Sequence, residues 1–237
     1  MAKTLYTTNR ARPDTSTVLA FLTTRVIETN KYVLDKLVNI MNYIRGTRYI
    51  PLILSANVSG FLKWGVGVSY AVHPNMWVHT GGVLSMGRVF SILTSTKHKL
   101  NTCSSTESEI VGIHDSMPNV CWKSYFIGYQ GYQVTGNIIY QDNKSDILLE
   151  KNGKSSSSKC TKYTNIRFFF ITDCISKKEF NVYWCPKNYI MGDFMTNPTQ
   201  GSLFNNFRDQ YYVNIWSLKP GGIKGTQECV GNQTYTE

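Results

Sequence analysis

The sequence predicts a mixed α/β fold, in which a sheet of antiparallel and parallel strands is covered by helices. Strand-like alternation of apolar residues recurs between residues 61 and 94, with turn residues between the segments. Two further strand patterns, residues 134–141 and 181–185, each follow a helical segment. Strand-helix-strand connections place the carboxyl ends of parallel strands at one edge of a sheet, where functional sites form.

Two amphipathic helices are predicted before the sheet. Pro13-Asp14 suits the start of the first helix. Its predicted apolar face comprises Val18, Phe21, Leu22 and Val26. The second helix follows Asn30 and ends at Gly46. Its predicted apolar face comprises Leu34, Leu37, Val38, Met41 and Ile44. Helices this short need a partner surface to bury these faces, and residues 49–56 predict a strand after them.

The central segment predicts three consecutive antiparallel strands. The first spans residues 61–73, and one of its faces comprises Leu62, Trp64, Val66, Val68 and Tyr70. Gly65 and Gly67 lie on the other face and weaken the strand. A loop over residues 73–80 leads to segments 83–86 and 89–94, which flank the hairpin signal Gly87-Arg88.

A capped helix follows the hairpin. Thr106 as the N-cap, with Glu109 three residues later, has the pattern of a capping box. Pro118 is expected to kink or divide this helix. The remaining predicted elements are a strand at 134–141, a short helix at 145–151, a polar loop at 154–164, a helix at 165–175, a strand at 181–185 and a final helix through residues 204–211.

Composition and charge indicate a folded chain with an anionic partner. The 237 residues are 42% hydrophobic and 13% aromatic, which supports a buried core and excludes a disordered chain. A net charge of +10 favours nucleic acid as the partner, although many basic proteins bind none. No apolar run approaches the roughly 20 residues of a membrane span, and the first residues lack the apolar core of a signal peptide.

The six cysteines are scattered and form no Cys-x-x-Cys pair, which argues against a zinc site and a disulfide scaffold. We therefore expect reduced thiols and an intracellular location, in the cytoplasm or the nucleus. The sequons at Asn57, Asn143 and Asn232 are then chance occurrences.

Three acidic residues stand at the ends of predicted elements. Glu109 begins a helix, Asp142 follows a strand and Asp193 precedes a helix. Clustered carboxylates repel one another unless a divalent cation lies between them, and Mg²⁺ is the usual one. Two such ions about 4 Å apart can activate a water and stabilise the leaving oxygen of a phosphodiester. Each acid alone fits a solvated surface group, but their order and placement together predict a metal-dependent site.

Several ordered motifs strengthen this interpretation. They are SYAVHP at 69–74, HTGG at 79–82, SSTESE at 104–109, YQDN at 140–143, NIR at 165–167 and GDFMTNP at 192–198. Together they resemble the C-terminal part of the Pol polyprotein of copia-type retrotransposons, which contains a ribonuclease H (RNase H) domain. RARPD at 10–14 and YIRGT at 43–47 are similar to the last helices of that family's reverse transcriptase. The resemblance covers residues 1–213.

The resemblance implies an RNase H-like fold, with a five-stranded sheet whose first three strands are antiparallel. It also implies four segments: remnant reverse transcriptase helices at 1–47, a connection at 48–62, the RNase H-like domain at 63–213 and a tail at 214–237. The palm of the reverse transcriptase, with its paired aspartates, is absent from this sequence. We therefore expect a truncated and degenerate copy.

In that family, four carboxylates bind two Mg²⁺ ions and cut the RNA strand of an RNA–DNA hybrid. Glu109, Asp142 and Asp193 match three of them. The fourth belongs to the first strand, in a Trp-x-Val-Asp-x-Ser pattern, where this chain has Gly67. Because glycine supplies no side-chain oxygen, we expect impaired cleavage, and partial recovery in Gly67→Asp. The family's usual lysine and histidine are also replaced, by Asn197 and Tyr163.

Three alternatives remain open: an active hybrid nuclease that uses one ion or a water in place of the missing ligand, a non-catalytic nucleic-acid-binding module, and a poorly folded chain without function. For binding, Thr106 and Asn143 are expected to meet the strand backbone. The residues expected to contact phosphates are Lys97, Lys99, Lys144, Arg167 and the loop at 154–162. These lysines fit a solvated surface equally well. The resemblance implies that His73 and His79 shape the loop before the second strand.

Overall fold

The computed structural model describes residues 1–52, 60–86, 90–144, 147, 162–187 and 190–211. Five strands in these ranges form one sheet: β1 Phe61–Ser69, β2 His79–Ser85, β3 Phe90–Lys97, β4 Gly136–Gln141 and β5 Asn181–Trp184. Their order across the sheet is β3-β2-β1-β4-β5. β1, β2 and β3 are antiparallel neighbours, whereas β4 runs parallel to β1 and β5 runs parallel to β4. The predicted mixed five-stranded sheet is confirmed.

Helices lie before the sheet and on both of its faces. They are α1 Ala2–Arg10, α2 Ser16–Thr23, α3 Lys31–Gly46, α4 Ser105–Tyr129, α5 Lys162–Ser176, α6 Met191–Phe194 and α7 Gly201–Tyr211. Each face of the sheet is covered by a hydrophobic core, and neighbouring residues of β2 belong to different cores. Leu84 packs with residues of α4, whereas Val83 packs with Phe194 and Phe207. This follows from the alternation of side chains along a strand. The strand at 181–185 and the helices at 165–175 and 204–211 are confirmed to within a few residues.

The N-terminal region has one helix more than predicted. The helix α1 escaped prediction because its buried residues are threonines, Thr4 and Thr8, which give no apolar periodicity. Helix α2 ends at Thr23, so Val26 lies beyond it and is exposed.

The predicted face of α3 was wrong in part. Its buried stripe runs through Val33 and Ile40, with Leu37 and Ile44 partly buried beside them. The helix carries more apolar residues than its neighbours cover, and those left about half-exposed are Leu34, Val38 and Met41.

Three other predictions also need correction or lie outside the described residues. Residues 49–52 are turn and irregular structure rather than strand, and 53–56 are outside the described ranges. Pro118 lies within one continuous helix, α4, and does not divide it. The Gly87-Arg88 turn, most of the segments at 145–151 and 154–164, and the tail also lie outside the described ranges, but residues 162–164 belong to α5.

A buried polar network ties the N-terminal helices together. The Arg12 guanidinium donates two hydrogen bonds to the Asp14 carboxylate, at 3.1 and 2.7 Å. The Tyr43 hydroxyl of α3 donates to the same carboxylate at 2.6 Å. Burial and Asp14 raise the pKa of Tyr43 to about 12. Arg12 also donates to the Thr47 hydroxyl at 2.6 Å, which fixes the end of α3.

Two histidines join these helices to the sheet. The Phe21 ring of α2 stacks on His73 and His79, with ring centroids 4.6 and 4.7 Å apart. The two imidazoles are hydrogen-bonded, with 3.1 Å between His73 Nε2 and His79 Nδ1. The prediction that they shape the loop before β2 is consistent with this contact.

The described cysteines are free thiols, and the described helices include none that combines the length and apolarity of a membrane span.

Candidate functional site

Position 67, where the expected aspartate is missing, faces Asp193 directly. Gly67 is buried in β1 and pairs with Gly81 of β2. A Cβ atom built on Gly67 would lie 2.5 Å from Asp193 Oδ1 and 2.7 Å from the backbone N of Asp193. The structure therefore places Asp193 against position 67, where the sequence resemblance predicts a carboxylate.

The backbone of α6 lies directly on the sheet at this point. A Cβ on Gly192 would collide with the backbone N of Gly67 and lie 2.6 Å from the carbonyl carbon of Val66. A Cβ on Gly81 would collide with Gly192 O and lie 2.5 Å from Met195 Cβ. Glycine is required here by close approach of backbones, not by a special φ angle. Any side chain at position 67 must displace α6 or its Asp193 carboxylate.

Asp142 and Asp193 form an interacting acidic pair. Asp142 directly follows β4, and Asp193 lies in α6. Burial and, to a smaller extent, the negative charge of Asp142 raise the pKa of Asp193 to about 7, while the positive charge of Lys187 opposes the shift. This is the behaviour expected of a carboxylate that is taken out of water beside another carboxylate. Asp193 therefore takes up a proton at a much higher pH than an exposed aspartate does.

Glu109 is not part of the helix cap. The N-cap of α4 is Ser104, whose hydroxyl accepts from the Glu107 backbone N–H at 3.1 Å, and Glu107 in turn accepts from the Cys103 N–H at 2.7 Å. The predicted Thr106 and Glu109 capping box was therefore wrong. Two Ser/Thr-x-x-Glu patterns overlap in SSTESE, Ser104 with Glu107 and Thr106 with Glu109, and the helix is capped by the first of them. Both Thr106 and Glu109 are half-buried in the first turns of α4.

The start of α4 lies against the carboxyl end of β1. A Cβ on Gly112 would lie 2.5 Å from Val68 Cγ2, so helix and strand are in close contact there. Glu109 precedes Gly112 by about one helical turn. It therefore lies at the edge of the sheet where β1 and β4 end, on the α4 side, whereas Asp193 lies on the α6 side.

The donors available for Mg²⁺ are incomplete. Carboxylate oxygens are the ligands that Mg²⁺ prefers, and an acidic pair such as Asp142 and Asp193 suits a divalent cation. Gly67, however, offers no side-chain oxygen. In the part of the chain that the structure describes, no group of three or more His, Cys, Asp or Glu side chains is arranged to hold a metal ion. The residues do not fit the bridged two-ion arrangement.

Basic residues lie at the same end of the sheet as the acidic residues, where β1, β3 and β4 finish. Because β1, β3 and β4 run in the same direction, Lys97 at the end of β3 and Asp142 after β4 lie at the same edge. Lys99 is exposed just beyond Lys97. Lys97 Nζ lies 4.6 Å from the centre of the Trp77 ring, a cation–π contact that orients the ammonium group.

A second lysine, Lys144, lies close to Asp142 in the sequence. Lys144 is exposed, and its Nζ lies 4.1 Å from the centre of the Trp184 ring. Trp184 Nε1 donates to the Asp142 backbone carbonyl at 3.0 Å. Asn143, between Asp142 and Lys144 in the sequence, is half-buried. Arg167 is also half-buried, in α5, and its positive charge contributes to lowering the pKa of His98.

Sequence reasoning missed Trp184 and Lys187. Trp184 lies within the predicted strand at 181–185, but nothing in that pattern indicates that it contacts the Asp142 carbonyl and Lys144. Lys187 lies six residues before Asp193, and its charge lowers the pKa of that carboxyl.

Comparisons with known proteins concern the fold. No protein-family model matches the chain. LC11-RNase H1, isolated from compost by a metagenomic approach, is 9% identical with a TM-score of 0.41, over 58% of this chain and 91% of that one. The N-terminal RNase H domain of a Mycobacterium tuberculosis protein is 11% identical with a TM-score of 0.40, over 63% and 96%. The protease–reverse transcriptase of prototype foamy virus is 12% identical with a TM-score of 0.35, over 53% and 17%. Similarity this low supports no conclusion about activity.

Proposed function

We propose that the chain is an RNase H-like domain of copia-type retrotransposon origin that binds RNA–DNA hybrids and is impaired in cutting them. The observation that carries this proposal is the position of Gly67, which faces Asp193 at the point where the resemblance requires a carboxylate. Residues 1–47 would derive from the end of a reverse transcriptase. The compartment that suits this function is intracellular.

We propose Asp142 and Asp193 as the carboxylates that would hold Mg²⁺, and Glu109 as a third ligand on the resemblance alone, because no three described side chains are arranged as a metal site. A bound Mg²⁺ would supply activation of the attacking water and stabilisation of the leaving oxygen. The raised pKa of Asp193 supports a metal-binding role, because a cation would relieve its repulsion from Asp142. Without an oxygen at position 67, one ligand that bridges both ions in the family is missing, and this supports the proposed impairment.

Hybrid binding is supported by the cations at the same sheet edge. Lys97, Lys99 and Lys144 would contact phosphates, and Arg167 would do so from α5. Thr106 and Asn143 would meet the strand backbone close to the acids, where 2′-hydroxyls distinguish RNA from DNA. The ring contacts of Lys97 and Lys144 hold their ammonium groups at the edge, which lowers the entropy lost on binding.

The direct test is a cleavage and binding assay with an end-labelled RNA–DNA hybrid in Mg²⁺. We expect salt-dependent binding and an intact RNA strand. The Gly67→Asp variant should show weak Mg²⁺-dependent cutting together with lower stability, because the new side chain must displace α6. Robust cutting by the unmodified chain would refute the impairment, and no binding at low salt would refute the function.

The retained pair of Asp142 and Asp193 favours one second candidate, a residual hybrid nuclease that uses a single ion. It predicts slow cutting by the unmodified chain that is lost in Asp142→Asn. A binder that does not use the carboxylates, by contrast, predicts that Asp142→Asn leaves hybrid affinity in place and that neither protein cuts.

A further inference from the structure

Helix α6 is too short to hold its own position. It contains four residues, Met191–Phe194, and isolated helices of this length do not form in water. Its last carbonyl groups need donors from outside the usual helical ladder. Gly192 O and Asp193 O accept from the backbone N–H groups of Met195 and Thr196, at 3.0 and 3.1 Å. The next two carbonyls are served by side chains from distant parts of the chain.

These two donors are hydroxyl groups. Thr17 Oγ1, buried in α2, donates to Phe194 O at 2.7 Å. Ser95 Oγ, in β3, donates to Met195 O at 2.7 Å. Phe194 immediately follows Asp193, so the Thr17 hydrogen bond acts one residue away from the acid that faces Gly67.

The Thr17 hydroxyl is itself held in place. Phe21 follows Thr17 by one helical turn on the same side of α2, and its ring stacks on His73 and His79. His79 Nε2 lies 2.8 Å from Ser95 Oγ. Because Ser95 uses its single proton on Met195 O, His79 Nε2 must donate to Ser95. Helix α2, the histidine pair and the end of α6 are therefore one connected unit.

We infer that Thr17 is a positioning residue for Asp193, and that the N-terminal helices thereby form part of the candidate site. The inference rests on the proposed function and deepens it. It gives a role in the candidate site to residues 1–47, which resemble the end of the reverse transcriptase rather than the RNase H domain. Thr17 holds α6 so that the Asp193 carboxylate remains against Gly67 and beside Asp142.

The test compares Thr17→Val, which removes the donor at nearly constant shape, with Thr17→Ser, which keeps it. Thr23→Val is the matched control, since Thr23 is in the same helix but donates only to Ala20 O. We expect amide hydrogen exchange at residues 195–197 to be about tenfold faster in Thr17→Val and unchanged in the other two variants, given the usual contribution of a buried hydrogen bond. Exchange in β1 should stay the same.

Hybrid affinity in Mg²⁺ is the second measurement. It should fall severalfold in Thr17→Val and be restored in Thr17→Ser. Unchanged exchange at residues 195–197, or equally faster exchange throughout the sheet, would overturn the positioning role. Faster local exchange with unchanged affinity would overturn its connection to the site. If the wild-type chain binds no hybrid, the proposed function fails, while the exchange data still decide whether Thr17 positions α6.

Discussion

Replacement of Gly192 by alanine tests the close contact between α6 and β1. The added methyl group would collide with the backbone N of Gly67 and lie 2.6 Å from the carbonyl carbon of Val66. Both atoms belong to the central strand of the sheet and cannot rotate away. Forcing a methyl group into such packing costs about 1–3 kcal/mol. The better helix propensity of alanine offsets at most about 1 kcal/mol of this.

We therefore expect Gly192→Ala to lower the free energy of unfolding by about 2 kcal/mol, from these ranges. For a chain of this size this corresponds to a fall in Tm of about 4–8 °C. Urea denaturation followed by circular dichroism measures it. Gly128→Ala is the control, because Gly128 is helical and a Cβ there meets nothing within 4 Å. The control should be unchanged or up to about 1 kcal/mol more stable. A Gly192→Ala protein as stable as the control would refute the contact.

Three further predictions concern pH, a buried ion pair and salt. Burial lowers the pKa of His73 to about 4 and of His79 to about 3, so both stay neutral in the folded chain while the unfolded chain gains protons below pH 6.5. Protonation of Asp193, whose pKa is raised to about 7, acts in the opposite direction, so the measurement is made in Asp193→Asn. In that variant the free energy of unfolding from urea denaturation should fall between pH 7 and pH 5, by at most about 2 kcal/mol for each histidine, and a constant value would contradict this. Asp14→Asn leaves the buried Arg12 charge without its carboxylate and should cost about 3–5 kcal/mol in the same assay; a loss below 1 kcal/mol would contradict it. Lys144→Gln should reduce the slope of log affinity against log salt by about 1 for an RNA–DNA hybrid, and an unchanged slope would remove Lys144 from the interface.

The sheet could be predicted because its signal is local. Alternation in β1 and the position of Asp142 directly after β4 depend on neighbouring residues alone, and both agree with the structure. The predicted extent of β1 was wrong, because the strand ends at Ser69 rather than at residue 73, and Tyr70 lies beyond it and is exposed. The helix start at residues 104–109 was less certain, because a Ser/Thr-x-x-Glu pattern occurs there in more than one register. The hydrogen bonds of Ser104 and Glu107 in the structure show which register the helix uses.

The contact between α6 and the sheet could not be predicted in the same way. The sequence shows that Gly67 lacks a carboxylate, but it does not show that the α6 backbone occupies the space beside it. Likewise, the Thr17 hydrogen bond joins residues 177 positions apart, and the polar residues of α1 and α2 carry no periodic signal for it. Such features depend on how closely two backbones approach, which follows from the packing of the whole chain.

The position of Asp193 is unfavourable for stability alone. A carboxylate whose pKa is raised to about 7 by burial and by Asp142 opposes folding at neutral pH, since the unfolded chain carries the charge freely. The surrounding structure holds Asp193 in this position in two ways. The backbone of Gly192 packs closely on Gly67, and hydroxyl groups of other elements donate to the carbonyls at the end of α6. Packing alone would be served better by a neutral residue at position 193. An arrangement that supports a disfavoured acid beside a second acid is typical of a functional site. Under the proposed function, glycine at position 67 takes one ligand from this site and also one repulsive charge.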